Sequence, residues 1–138
     1  MPPAPTDSYQ RRIDYLRLSV TDRCNLRCIY CMPKEGMLKL SHDDILRYEE
    51  IIRLAGIAIG MGIRKVRITG GETLVRRDVV HLCSRIAQLP GLESLTLTTN
   101  GRLLAGHAER LYQAGVQRIN ISLDTLDPEK YARITRSD

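Results

Sequence analysis

The sequence predicts an α/β domain built on four parallel strands, each followed by a helix. Three observations carry this reading. Short stretches that alternate apolar and polar residues take turns with longer stretches whose apolar residues recur at helical spacing. The strand–helix order repeats along the chain, which calls for right-handed crossovers between parallel strands. The unusual loops all fall at the C-terminal ends of strands, the edge where parallel α/β folds place their sites.

The elements follow in order. Residues 1–12, MPPAPTDSYQRR, hold no apolar core and read as a flexible leader; the folded part is expected over 13–138. Tyr15 to Val20 sets Leu16, Leu18 and Val20 against Arg17 and Ser19, a strand pattern. Ser41 and Asp44 form a capping-box pattern, so a helix is expected from there, with Ile45, Tyr48, Ile52, Ala55 and Ile59 on one face. Gly60 and Gly62 end it. Lys65 to Thr69 is the second strand, and Gly70-Gly71-Glu72 is its exit loop. A helix over about Asp78 to Leu89 turns Val79, Leu82, Cys83 and Ile86 inward, so Cys83 reads as a core thiol rather than a ligand. Pro90-Gly91 breaks the chain before the third strand, Leu95 to Thr99. A third helix covers Leu103 to Ala114, and Val116 to Leu123 is the fourth strand. Pro128 opens the last helix at its permitted first turn.

Composition narrows the function. At 138 residues, with 43% hydrophobic residues, the chain is one globular domain. No apolar run reaches membrane-spanning length and no signal peptide is evident, so a cytoplasmic protein free of the membrane is expected. The net charge is +5, and all but four of the 21 basic residues are Arg. There is no basic run and no RNA-module signature, so nucleic acid is not the expected partner. A small polyanion fits the charge. Arg17 and Arg67 each lie mid-strand in a sheet expected to be buried on both faces, where a charge needs an anion or a partner such as Asp22 or Glu72. His42, His81 and His107 lie on helices away from the strand ends and read as surface or structural residues.

Three of the four cysteines, Cys24, Cys28 and Cys31, stand in the loop after the first strand, TDRCNLRCIYCM. A zinc site would ask for a fourth ligand, and a disulfide framework prefers an even count in a secreted chain. Thiolates are also the usual ligands of iron–sulfur clusters, and three would leave one iron open to an outside ligand. C-x3-C-x2-C with Tyr30 before its last cysteine resembles the signature of the radical S-adenosylmethionine (SAM) enzymes. LRLSVTDRCNLRCIYCMP, RITGGE, LTTNG and RINISLD together resemble the GTP 3′,8-cyclase branch, which acts in molybdenum cofactor biosynthesis.

That resemblance implies a [4Fe-4S] cluster on Cys24, Cys28 and Cys31, with SAM on the fourth iron. It implies a lyase in which reductive cleavage of SAM gives a 5′-deoxyadenosyl radical that rearranges GTP. It places SAM contacts at Tyr30, Gly70, Gly71, Glu72 and Ser122, and GTP contacts at Arg17, Arg67 and Thr98; it assigns no catalytic acid or base. Taken without the resemblance, Gly-Gly-Glu is a turn and Ser122 a strand-end serine. Thr73 stands where the family usually has Pro, which frees φ, restores a donor and is expected to loosen the loop. A reductant protein is implied as partner, and a homodimer is admitted. The resemblance covers Tyr9 to Asp138, the first part of the family's chain. The family continues with two more strand–helix units and a region carrying a second cluster that binds the guanine. A partial barrel, incomplete beside the six-stranded family fold, is therefore expected, with a free sheet edge and exposed apolar surface. Two other readings stay open: a different radical SAM enzyme, such as one acting on a peptide, and a non-catalytic iron–sulfur module.

Overall fold

Apolar alternation decides the sheet. The computed structural model describes residues 3–137, apart from the side chain of His42. Its strands are β1 (Tyr15–Ser19), β2 (Lys65–Thr69), β3 (Ser94–Thr99) and β4 (Arg118–Ile121), all parallel in the order β1-β2-β3-β4. Helices α1 (Tyr48–Gly60), α2 (Val79–Ala87) and α3 (Ala108–Gln113) make the crossovers, and α4 (Pro128–Thr135) follows β4. The sheet is open, as the strand count implied, and its free β4 end exposes Ile121, Leu123 and Leu126.

Register puts the apolar residues on one side. Leu18, Ile68, Leu97 and Ile119 form one row across all four strands. Val66, Ile68, Leu95 and Leu97 are buried together with Ile51, Ala55, Leu82, Cys83, Ile86 and Leu111 of the helices. The opposite face carries Arg17, Arg67, Thr96 and Arg118 in one register row. This corrects the expectation of a sheet buried on both faces. Helices cover one face only, and Arg17 is exposed because the period-2 pattern turns it to the other. Nor does either expected carboxylate partner reach the arginines. Arg67 instead donates to Thr96 Oγ1 at 3.3 Å and lies over the Tyr15 ring at 5.5 Å.

Two helix boundaries differ from the pattern reading. The Ser41 amide donates to the Asp44 carboxylate at 3.3 Å, as in a capping box, and the Ser41 hydroxyl donates to the same oxygen at 2.7 Å, yet the pair closes only a single 3-10 turn, His42–Asp44. Residues 45–47 are then held extended, because the Arg76 guanidinium donates to the carbonyls of Val20 and Leu46. The Arg76 guanidinium also stacks on Tyr48 at 4.3 Å, and α1 starts at that residue. The third helix divides into a turn, Leu104–Gly106, and α3, with His107 between them bonding the Leu103 carbonyl through Nδ1. His81 is exposed on α2. Thr6 bridges Arg12, and Ala4 lies so close to Gly62 that a side chain there would meet its Cα at 2.5 Å.

Cys83 is fully buried on α2, and burial pushes its thiol up to about 12. An acid whose folded value is raised binds more protons folded than unfolded, so stability should fall as pH rises from about 9 toward 12. Thiol titration of the native apo-protein at pH near 8 should therefore modify Cys24, Cys28 and Cys31 but reach Cys83 only in denaturant. Reaction of all four cysteines at one rate in native buffer would contradict this packing.

Candidate active site at the strand ends

The exits of β1, β2 and β3 are tied together through the Gly70-Gly71-Glu72 loop. The Gly71 and Glu72 amides donate to the carbonyls of Thr21 and Arg23, both at 2.7 Å, so this loop carries the entry to the cysteine loop. The approach needs glycine: a Cβ on Gly71 would sit 2.3 Å from the Arg23 oxygen, and one on Gly70 would sit 2.8 Å from that of Thr21. Glu72 is 1% exposed. Its carboxylate accepts from Leu74 N at 2.9 Å, Thr99 Oγ1 at 2.7 Å and Asn100 N at 2.6 Å. The side chain is thus spent on holding the β3 exit. The loop's free acceptors are the Gly70 and Gly71 carbonyl oxygens, which take no hydrogen bond among the described residues.

Thr73 ties this loop to β3. It is buried, and its hydroxyl donates to the Thr98 carbonyl at 2.8 Å, a cross-tie that Pro could not make. Thr98 itself faces the open side of the sheet with Asn120 as its register partner. Ser122 donates its amide to the Thr99 carbonyl at 2.9 Å and leaves its hydroxyl exposed and unpaired among the described residues.

Backbone bonds fix the cysteine loop at its far end as well. The Arg27 and Ile29 amides donate to the Thr135 and Ile134 carbonyls at the end of α4, at 3.0 and 2.9 Å. Arg136 donates to the carbonyls of Arg27 and Met32. Cys31 and Met32 fold back on the Cys28 carbonyl at 3.0 and 3.1 Å. Sγ of Cys24 accepts from Leu26 N at 3.4 Å. Burial raises the Cys24 thiol, and the nearby Glu72, Cys28 and Cys31 add to this. Tyr30 is exposed, and its hydroxyl donates to Asp124 at 2.8 Å. That bond, before burial, raises the phenol well above its ordinary range. A cleft of about 320 Å³ lies beside Cys24, lined by Asp22, Arg27, Met32 and Met37 among others.

The structure therefore brings Cys24, Cys28, Cys31, Tyr30, Gly70, Gly71, Glu72, Thr98 and Ser122 to one rim. It sets Arg17 and Arg67 further down the open face, two residues before Ser19 and Thr69. Pattern reading missed the docking of the α4 end on the cysteine loop and the bond from Asn100 to Asn25, at 2.7 Å. Neither has a local signature, since both join segments distant in sequence.

Among the described residues no three His, Cys, Asp or Glu side chains converge to hold a single metal ion. Three thiols on one loop suit a cluster better, since a four-iron cluster takes each thiolate on a different iron. The free glycine carbonyls likewise suit an ammonium donor. The donor set fits the group that the cysteine spacing suggested.

The sequence profile of the Radical SAM superfamily matches residues 18–138. The chain belongs to the radical SAM superfamily. Membership implies a [4Fe-4S] cluster and SAM as cofactors. Among its relatives, the GTP 3′,8-cyclase of Geobacter sulfurreducens is 60% identical over 94% of this chain, and that of Petrotoga mobilis is 57% identical over the same share. The chain spans 40% of the length of each. The crystal structure of BtrN in complex with AdoMet and 2-DOIA overlays with a TM-score of 0.62, over 90% of this chain and 51% of that one. At 16% identity it supports the radical SAM fold and nothing finer.

Two substitutions test the rim. Glu72→Ala strands three donors in a buried site and should cost about 3 kcal/mol in urea unfolding, since bonds to a buried charge are the expensive ones to lose. Thr73→Val keeps the shape and should cost about 1 kcal/mol, with faster amide exchange at Leu74 and Asn100. Wild-type melting of Glu72→Ala would show that the carboxylate does not hold the loops.

Proposed function

We propose that this chain is the N-terminal part, residues 13–138, of a radical SAM core that acts on GTP as a 3′,8-cyclase in molybdenum cofactor biosynthesis. The observation that carries the reading is the 55–60% identity to relatives named GTP 3′,8-cyclase, across 94% of the chain. Position supports it too: the four resembling stretches meet on one rim and one sheet face.

In this reading Cys24, Cys28 and Cys31 hold the cluster, leaving one iron to SAM. When bound, the cluster supplies the electron that cleaves SAM reductively. The Gly70 and Gly71 carbonyls accept from the SAM ammonium. Glu72 contributes through its backbone, and its carboxylate keeps those carbonyls in place. The Ser122 hydroxyl and the Tyr30 main chain supply the remaining SAM contacts. Arg17 and Arg67 bind the substrate's phosphates, and Thr98, two residues beyond their row toward the strand exits, offers a hydroxyl at the rim. A guanidinium keeps its charge at any working pH and meets phosphate through a planar fork.

Among the described residues no helix is long and apolar enough to cross a membrane. A reducing cytoplasm suits the free cysteines, and a reductant protein would supply the electron. A homodimer is compatible with this reading.

Anaerobic reconstitution with iron and sulfide should give one cluster per chain, and Cys28→Ala should lose it. With SAM and dithionite the reconstituted chain should release 5′-deoxyadenosine. A full cluster whose electron paramagnetic resonance signal ignores SAM would sink the assignment of the rim.

A further inference from the structure

Residues 17, 67 and 118 form a row that the expected substrate contacts do not exhaust. Arg17 pairs in register with Arg67, Arg67 with Thr96, and Thr96 with Arg118. The three arginines share the face opposite the helices. Their only intervening neighbour is Thr96, whose side chain is buried beneath Arg67. No salt bridge joins any of them to a carboxylate among the described residues. Arg17 and Arg118 are exposed. Like charges aligned on neighbouring strands repel, and such a row is normally relieved by interspersed carboxylates. Here the neighbouring Lys65 has its carboxylate, Asp14 at 3.3 Å, while the row does not.

We infer that Arg118 is a third phosphate-binding residue, completing with Arg17 and Arg67 a cradle for a linear polyphosphate across the open sheet face. The inference rests on the reading of Arg17 and Arg67 as substrate contacts, and extends it to a strand that reading leaves unused. Strands spaced about 4.8 Å apart put the outer two Cα atoms roughly 14 Å apart. Side chains as long as arginine's can converge over that gap on a chain of phosphates. A single phosphate would occupy one or two forks; three forks in line match an extended anion.

The neighbouring row gives the cradle a direction. Ser19 with Thr69, and Thr98 with Asn120, stand two residues closer to the rim on the same face. At about 3.3 Å per residue this polar row sits nearly 7 Å nearer the cysteine loop. Hydroxyls and an amide suit a sugar or base edge, not a phosphate alone. A nucleotide held this way would point its phosphates down the face and its nucleoside toward the cysteine rim.

The test is calorimetric, on the full 138-residue chain, with inorganic tripolyphosphate and guanosine as separate probes. Arg118→Ala should weaken tripolyphosphate binding about tenfold, the scale of one hydrogen bond to a charged group. Arg118→Lys should recover part of the loss, and guanosine binding should not change. Arg53→Ala, which removes an exposed charge from α1, should stay within about twofold of wild type, the scale left to distant screened charges. Arg118 is exposed and has no partner among the described residues, so melting of its variants should match wild type. If Arg17→Ala and Arg67→Ala weaken tripolyphosphate while Arg118→Ala does not, the third position is wrong and the substrate reading stands. If none of the three matters, the phosphate reading of this face falls with it.

Discussion

Everything at the rim depends on one buried carboxylate. Glu72 accepts hydrogen bonds from a residue of its own loop and from two at the exit of β3, while its amide holds the start of the cysteine loop. Three strand exits are therefore linked through a single residue. Loops of this kind are usually the mobile part of an α/β domain. Here the backbone bonds leave the cysteine loop fixed at its entry by Gly71 and Glu72, and at its exit by the end of α4. A site that must hold three sulfurs in place needs supports of that sort, because ligands on a loose loop would spend their binding energy on ordering it.

The same carboxylate sorts the roles within Gly-Gly-Glu. A glutamate in a ligand loop invites the idea that its charge meets the ligand. Burial and three donors make that impossible without dismantling the rim. What the loop can present is its peptide oxygens, and the glycines are needed because the loop lies against the backbone of Thr21 and Arg23. Thr73 belongs to the same arrangement. The hydroxyl gained where the family usually has Pro is used at once, on the Thr98 carbonyl, so a change that frees φ is offset by a hydrogen bond across to β3.

Much of this was legible in the sequence, and the reasons are particular. Leu16, Leu18, Val66, Ile68, Leu95 and Leu97 alternate cleanly with polar residues, so the strand positions followed from period. Cys83 fell on the apolar stripe of its helix and lies buried there. The spacing of the cysteines set the family, because few sites ask for three thiolates and no fourth. Boundaries were harder. The cap at Ser41 is real, yet Arg76, thirty-odd residues later, bonds the Leu46 carbonyl and postpones the helix. A capping box reports a local preference; it has no information about a guanidinium arriving from another loop. The tie from α4 to the cysteine loop was invisible for the same reason.

The strand period itself already places Arg17 and Arg67 on a free face. Parallel sheets covered on both faces read as continuous apolar runs, whereas strands with one covered face alternate. The stretches LRLS and KVRIT alternate. Taken at its word, that period already says one face is free, and charges on it need no buried partner. The helices then follow the apolar phase, Leu18 to Ile119, and the arginines follow the other. In this fold a single phase choice on each strand separates stability from binding: even a one-residue slip of β4 would bring Ile119 to the open face and turn Arg118 into the core. Packing of the apolar row thus fixes where the charges stand, so the core specifies the geometry of the open face from the opposite side of the sheet.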